Sequence, residues 1–281
     1  MKQMIFPLIR QLGKRWHYAV LSLFVAVGLI LGSAQTAQSF SFFDLFRQGV
    51  QVFQLSNLSD EQEVKLGRQI NEQLVNNEIT LSRNQQLNRY VDGIGQRLVP
   101  HSDRADIPYT FQVVKDDSVN AFATMGGFVY IHTGLMAAAD NESELASVVA
   151  HEIGHITARH AVQQMKQRAI AQGLLSAAGL DESAAVQIGV ELAVSRPNSR
   201  EDELEADKKG LDTLTKAGYA PLGMISFMEK LQQQGGSPPS FLSTHPAVSD
   251  RIEILKAQID NPRQGNGLNT SIYQRRTQAL R

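Results

Sequence analysis

The run ASVVAHEIGHITARH, residues 146–160, constrains this chain more than any other stretch. It is apolar enough to form a buried helix, yet it carries His151, Glu152 and His155, and it holds three of the chain's seven histidines within ten residues. Buried polar groups need partners, so a fold that hides this helix must supply something for them to bind. On an α-helix, residues four apart share one face, so His151 and His155 present two imidazoles to one point. Glu152 falls on the neighbouring edge, where a general base for an activated water belongs. Chance produces His-Glu-x-x-His on the order of once in a hundred chains of this length. Gly154 inside the motif costs a helix roughly 1 kcal/mol relative to Ala, which predicts close approach by another group.

The chain has no cysteine, so thiolate zinc sites, disulfides and thiol nucleophiles are excluded, and a metal must be held by histidines and carboxylates. His160 lies nine residues from His151, on the far side of a helix turning about 100° per residue, and is expected to be structural. The third ligand is sought in SREDELEADKKGLDTLTKA, residues 199–217, with acid pairs Glu201/Glu205 and Glu203/Asp207. Leu204, Leu211 and Leu214 mark the expected buried stripe; Glu203 and Asp207 fall on or beside it, and Glu201 and Glu205 on the opposite face, where Glu205 can pair with Lys209. Glu203 is therefore assigned to the metal, and Asp207 is expected to accept the N–H of a liganding histidine.

Residues 1–34 differ from the rest: Lys2, Arg10, Lys14 and Arg15 precede the apolar run YAVLSLFVAVGLIL and the small residues Gly32-Ser33-Ala34. This pattern is that of an export leader, with a retained membrane anchor as the alternative. Without it, 23 basic residues face 28 acidic ones, which gives no electrostatic reason to bind nucleic acid. Residues 35–58 form an aromatic-rich segment that packs on the body or lies against a membrane, 59–260 a mostly helical body, and 261–281 a polar tail without expected order.

Helices are expected after Ser59 or Asp60 and over 84–98, and strands over 109–114, 120–124 and 128–132, the last two joined by a Gly126-Gly127 turn. Helical pattern returns at Gly134, with breaks near Gly173, at 196–198 and at 232–240. The stretch 168–196 is apolar, but Asp181, Glu182 and Glu191 argue for a soluble helical hairpin. The fold class is α+β, mostly α, with a small antiparallel sheet.

HEIGH with Arg159-His160, ELEAD in its SRxxELEADxxG setting, Val119–Ala123 with Gly126-Gly127, Thr133-Gly134-Leu135, and STHP (243–246) with Asp250-Arg251-Ile252 together resemble a family. It is that of the zinc metallopeptidases that include the CAAX prenyl protease, HtpX and the mitochondrial Oma-type enzymes, and within them the exported BepA-like branch. The resemblance implies a gluzincin fold whose sheet edge borders the active site. It implies one Zn2+ per chain on His151, His155 and Glu203, with Glu152 as catalytic base. It further implies that Asn120, Ala121, Phe122 and Ala123 bind an extended peptide by strand addition. His245, by itself an ordinary His-Pro turn, is implied to approach the metal, regulating access or stabilising an oxyanion. Two departures are expected: no membrane helices beyond residue 40, which argues against prenylated substrates, and no C-terminal helical-repeat domain. The implied activity is endoproteolysis of unfolded or misassembled envelope proteins by an exported enzyme, periplasmic or membrane-associated through its N-terminal segment. A peptide-binding, chaperone-like module with a structural or latent zinc is the alternative, and a metal-free helical scaffold a third.

Overall fold

The computed structural model describes residues 52–53, 55, 57–173, 180–195, 198–233, 240–246 and 248–280. The leader-like residues 1–34 and most of the aromatic-rich segment lie outside these.

Helix α1 (Asp60–Gln73) is started by Ser59, whose hydroxyl accepts from Gln62 N at 3.2 Å while the Gln62 side chain accepts from Ser59 N at 3.0 Å. That reciprocal cap, with Asp60, Glu61 and Glu63 in the first turn, satisfies donors the helix cannot pair itself. Helix α2 (Gln85–Leu98) is capped by Asn84 and buries Leu87, Val91, Ile94 and Leu98.

Strands β2 (Thr110–Val114), β3 (Ala121–Thr124) and β4 (Phe128–His132) form a sheet of order β2-β4-β3; β1 (Val52–Phe53) pairs instead with β5 (Leu180–Asp181). The three-stranded sheet is mixed, which corrects the antiparallel expectation: β3 and β4 form the hairpin, but β2 runs parallel to β4. The connection from β2 carries β3 to the far side of β4, leaving β4 central. Strand β4 has neighbours on both edges and burial on both faces, so FVYIH is buried at every position. Gly126 and Gly127 turn the hairpin with φ of 75° and 92°, a region open to glycine.

Past the short α3 (Thr133–Ala138), helix α4 (Glu142–Thr157) runs through the centre, buried at every residue from Ser143 to Ile156. Asn141 caps it, accepting from Glu144 N at 3.1 Å. The apolar core lies between α2, the sheet, α4 and a later helix α8 (Leu222–Gln233); a second cluster fills the space between α1, the sheet, α5 (His160–Ala171) and α6 (Glu182–Ser195). Helix α6 and the last turn of α5 fall in the apolar stretch 168–196 expected to be a helical hairpin, and an Arg168–Glu191 ion pair ties the two helices. No helix among the described residues is long and apolar enough to cross a membrane.

Helix α7 (Arg200–Lys216), capped by Ser199, packs along α4. Helices α9 (Ser240–Thr244) and α10 (Val248–Gln258) follow α8. The tail expected to be without order is instead folded on the body. It forms α11 (Thr270–Arg276), in which Tyr273 is buried and donates to the Met136 carbonyl at 2.6 Å. Tyr273 and backbone bonds such as Ser143 N to the Gly267 carbonyl and Ala220 N to the Asn266 carbonyl anchor this largely polar segment.

Candidate metal centre

His151 and His155 project from α4, one turn apart, with their Nε2 atoms 3.0 Å from each other. Helix α7 supplies Glu203, with Oε2 3.4 Å from His151 Nε2 and Oε1 3.3 Å from His155 Nε2. Zn–N bonds of about 2.0–2.1 Å at tetrahedral angles separate ligand atoms by about 3.3 Å, so these three groups match one common ion. Residues 151, 155, 203 and 245 each offer an atom, and the four atoms lie within 4.8 Å of one another. All four residues are buried. Glu152 Oε1, His245 Nε2 and Glu203 Oε2 are buried without a hydrogen-bond partner, the last making charge contacts with Arg251 and His151. A cluster of lone pairs with so few protons to share is a donor set for a cation.

Glycines let α7 come this close. A Cβ on Gly154 would lie 2.5 Å from the Ala206 carbonyl oxygen, and one on Gly210 would lie 3.0 Å from His151 Cα. The buried stripe of α7 is Glu203, Ala206, Asp207, Gly210, Thr213 and Leu214, with Leu204 and Leu211 only flanking it. Glu201 and Glu205 are exposed, and Lys209 lies 3.9 Å from Glu205 but 2.7 Å from Asp103.

Asp207 Oδ1 lies 2.9 Å from His151 Nδ1, on the outer side of that ring. Its partner on the other side was not read from the sequence. Arg251, on α10 and fully buried, grips Asp207 through Nε at 2.6 Å and Nη2 at 2.7 Å and meets Glu203 through Nη1 at 2.5 Å. The available signal was an arginine on the apolar stripe of α10, beside Ile252 and one turn before Leu255.

His245 enters from the chain after α9, with Nδ1 3.0 Å from Glu203 Oε1 and 3.3 Å from His151 Nε2, and Nε2 3.5 Å from Glu152 Oε1. Asn120, Phe122 and Ala123 line one cavity with Glu152, His155 and His245; Ala121 is buried outside that lining. Strand β3 is the last strand of its sheet, and Leu192 and Ala193 of α6 also line this cavity.

Considering protein charges alone, burial opposes the Glu203 charge, but the His245 and His151 rings hold its carboxyl well below the usual range. Burial also opposes the Asp207 charge, and Arg251 and His151 overcome it. Burial pushes Glu152 up, while the neighbouring rings of His245 and His151 pull it down. Burial drives His155 down to about 3.

An α+β domain with two histidines and a glutamate on its central helix, and a glutamate from an adjacent helix facing them, has the architecture of a gluzincin-type metallopeptidase. Residues 85–259, more than half of the chain, match Peptidase family M48. The chain belongs to that family. It is 35% identical over 214 residues to the beta-barrel assembly-enhancing protease of Escherichia coli (strain K12), covering 70% of this chain and 44% of that one. It is 32% identical over 173 residues to the mitochondrial metalloendopeptidase OMA1 of Schizosaccharomyces pombe, covering 59% and 51%. It is 29% identical over 222 residues to the metalloprotease LoiP of E. coli, covering 75% and 86%. The chain thus spans less than half the length of the assembly-enhancing proteases it matches.

Proposed function

We propose that this chain is a zinc metalloendopeptidase that cleaves extended segments of unfolded or misassembled polypeptides, with envelope proteins as its natural substrates. The observation that carries this is the convergence of His151 Nε2, His155 Nε2 and the Glu203 carboxylate beside a buried Glu152. Family membership supports peptidase chemistry, and the names of the assembly-enhancing relatives support an envelope substrate. An all-nitrogen-and-oxygen donor set at tetrahedral spacing suits zinc.

His151, His155 and Glu203 would hold the ion, with Asp207 orienting His151. Zinc bound there supplies a Lewis acid and a water of lowered pKa. Glu152 takes the proton of the attacking water and returns it to the departing amine. The β3 edge at Asn120–Ala123 holds substrate backbone in extended form, which selects unfolded chains. His245 closes the site at rest through Nδ1 and withdraws when substrate enters, its Nε2 then free to donate to the oxyanion.

One observation favours the alternative of a chaperone-like module with a structural zinc. His245 stands among the ligand atoms, and structural sites are closed by a fourth ligand. Metal analysis and casein digestion by the wild type and Glu152→Gln separate the two readings. The peptidase reading expects about one zinc per chain and near-complete loss of turnover in the variant. Stoichiometric zinc with no wild-type turnover on any unfolded substrate would leave the module reading standing, and absence of zinc would sink both.

A further inference from the structure

Helix α4 ends at Thr157, Arg159 takes a left-handed backbone with φ 59°, and α5 begins at once with His160. On an unbroken helix, residues five apart stand about 140° apart around the axis, and the rings of residues 155 and 160 would diverge. The reversal at Arg159 brings His160 Nδ1 to 2.8 Å from His155 Nδ1. Arg159 is the one non-glycine residue with positive φ among the described residues. Its side chain is held by Glu63 Oε2 at 3.0 Å and by the Leu58 carbonyl at 2.6 Å.

Two facing Nδ1 atoms at this distance share one hydrogen. His155 Nε2 looks inward, toward His151 Nε2 and Glu203. A neutral imidazole that offers a lone pair from Nε2 carries its proton on Nδ1. His155 therefore donates and His160 accepts, which leaves the His160 proton on Nε2. That atom lies 3.4 Å from Glu205 Oε2 and 3.7 Å from Asp202 Oδ1, both on α7, the helix that carries Glu203. The opposite ring, His151, has a carboxylate in the equivalent place, Asp207 at 2.9 Å.

We propose that His160 is a positioning residue for the metal centre. It holds His155 in the Nδ1–H tautomer, so that the Nε2 lone pair points at the ion, and it is itself steadied by the acids of α7. This rests on the metal reading above and adds a residue outside the set that would hold the ion. The signal is hidden in the sequence because nothing in Ala158-Arg159 marks a left-handed turn.

The test is zinc affinity of the full chain by competition against a chromophoric chelator, for wild type, His160→Ala and His160→Asn. Asn Oδ1 can stand near the position of Nδ1 and accept the same hydrogen bond. The Ala variant is expected to bind zinc roughly 10–100-fold more weakly, the range usual for loss of a partner behind a ligand. The Asn variant is expected to recover most of that loss. Equal affinity of wild type and His160→Ala overturns the proposal, and so does an equal loss in both variants, which would mean packing alone. Should the variants not fold, 15N-histidine NMR of the zinc-loaded wild type decides. A proton on His155 Nδ1 supports the assignment, and zinc on that nitrogen overturns it. A wild type that binds no zinc would instead remove the metal reading beneath it.

Discussion

Gly154 on α4 and Ala206 on α7 are in backbone contact: a Cβ added at 154 would meet the Ala206 carbonyl oxygen at 2.5 Å and its Cα at 3.0 Å. Both neighbours are backbone, so neither can swing aside. The glycine between the two histidines is therefore what lets Glu203 reach them. Gly154→Ala gains about 1 kcal/mol of helix propensity but forces the two helices apart, and overpacking costs about 1–3 kcal/mol. The expected result is a net loss of stability in urea unfolding and weaker zinc binding. Gly93 on α2 is the control, since nothing lies within 4 Å of a Cβ there, and Gly93→Ala is expected to stabilise. A Gly154→Ala protein as stable as the wild type would remove this account of the helix crossing.

Arg251 is the cation between two buried acids, bidentate on Asp207 and in charge contact with Glu203. Arg251→Met takes the guanidinium from both carboxylates and leaves them only their histidine neighbours, and breaking a buried pair in this way costs up to about 3–5 kcal/mol. Arg251→Lys keeps the charge without the planar fork and should fall between. Chemical unfolding in the presence of chelator reads this directly. Indifference to Arg251→Met would mean that Asp207 and Glu203 find other partners.

Much of the centre was legible because its signals are local. The i, i+4 histidines need only a helix, and the apolar neighbours of HEIGH announce that the helix is buried. Glu203 followed from the leucine stripe of α7, although the buried stripe is centred beside those leucines, on Ala206 and Gly210. The rest depends on contacts far apart in sequence. Strand β2 skips its neighbour in sequence to pair with β4, a long-range pairing that no local pattern announces. Tyr273 anchors a polar tail through one carbonyl on α3, 137 residues away. Arg251 reads as one more charge until α7 places two acids against it.

Acidity should distinguish the chelated protein from the zinc form. In the protein alone, burial works against a charge on His151, but Glu203 and the Asp207 hydrogen bond override it and push the ring up to about 9. A folded-state pKa raised above the unfolded value of about 6.5 gives stability that is complete below about pH 6.5 and lost as pH rises through about 9. His155, pushed down to about 3, works the other way and subtracts stability as pH falls below about 6.5. Chelated protein is therefore expected to lose stability between about pH 7 and 9, with the zinc-saturated protein much flatter there because the ion replaces the His151 proton. Urea midpoints across that range provide the measurement. Parallel profiles with and without zinc would count against the shared site.

The β3 edge gives the most direct test of substrate binding. His132 N donates to the Asn120 carbonyl, and the antiparallel register places Phe122 opposite Tyr130 and Ala121 opposite Ile131. Inward hydrogen bonds thus alternate with outward groups, and the backbone of Ala121 and Ala123 faces the free edge. Proline is tolerated where an edge N–H points away from the ladder. Ala123→Pro should therefore leave the fold and the zinc content intact while removing one donor that a bound strand would use. Turnover of extended substrates is expected to fall about tenfold in kcat/KM, the effect of one hydrogen bond of about 1–1.5 kcal/mol. Undiminished cleavage by a folded, zinc-loaded Ala123→Pro protein would mean that the peptide does not dock at Ala123.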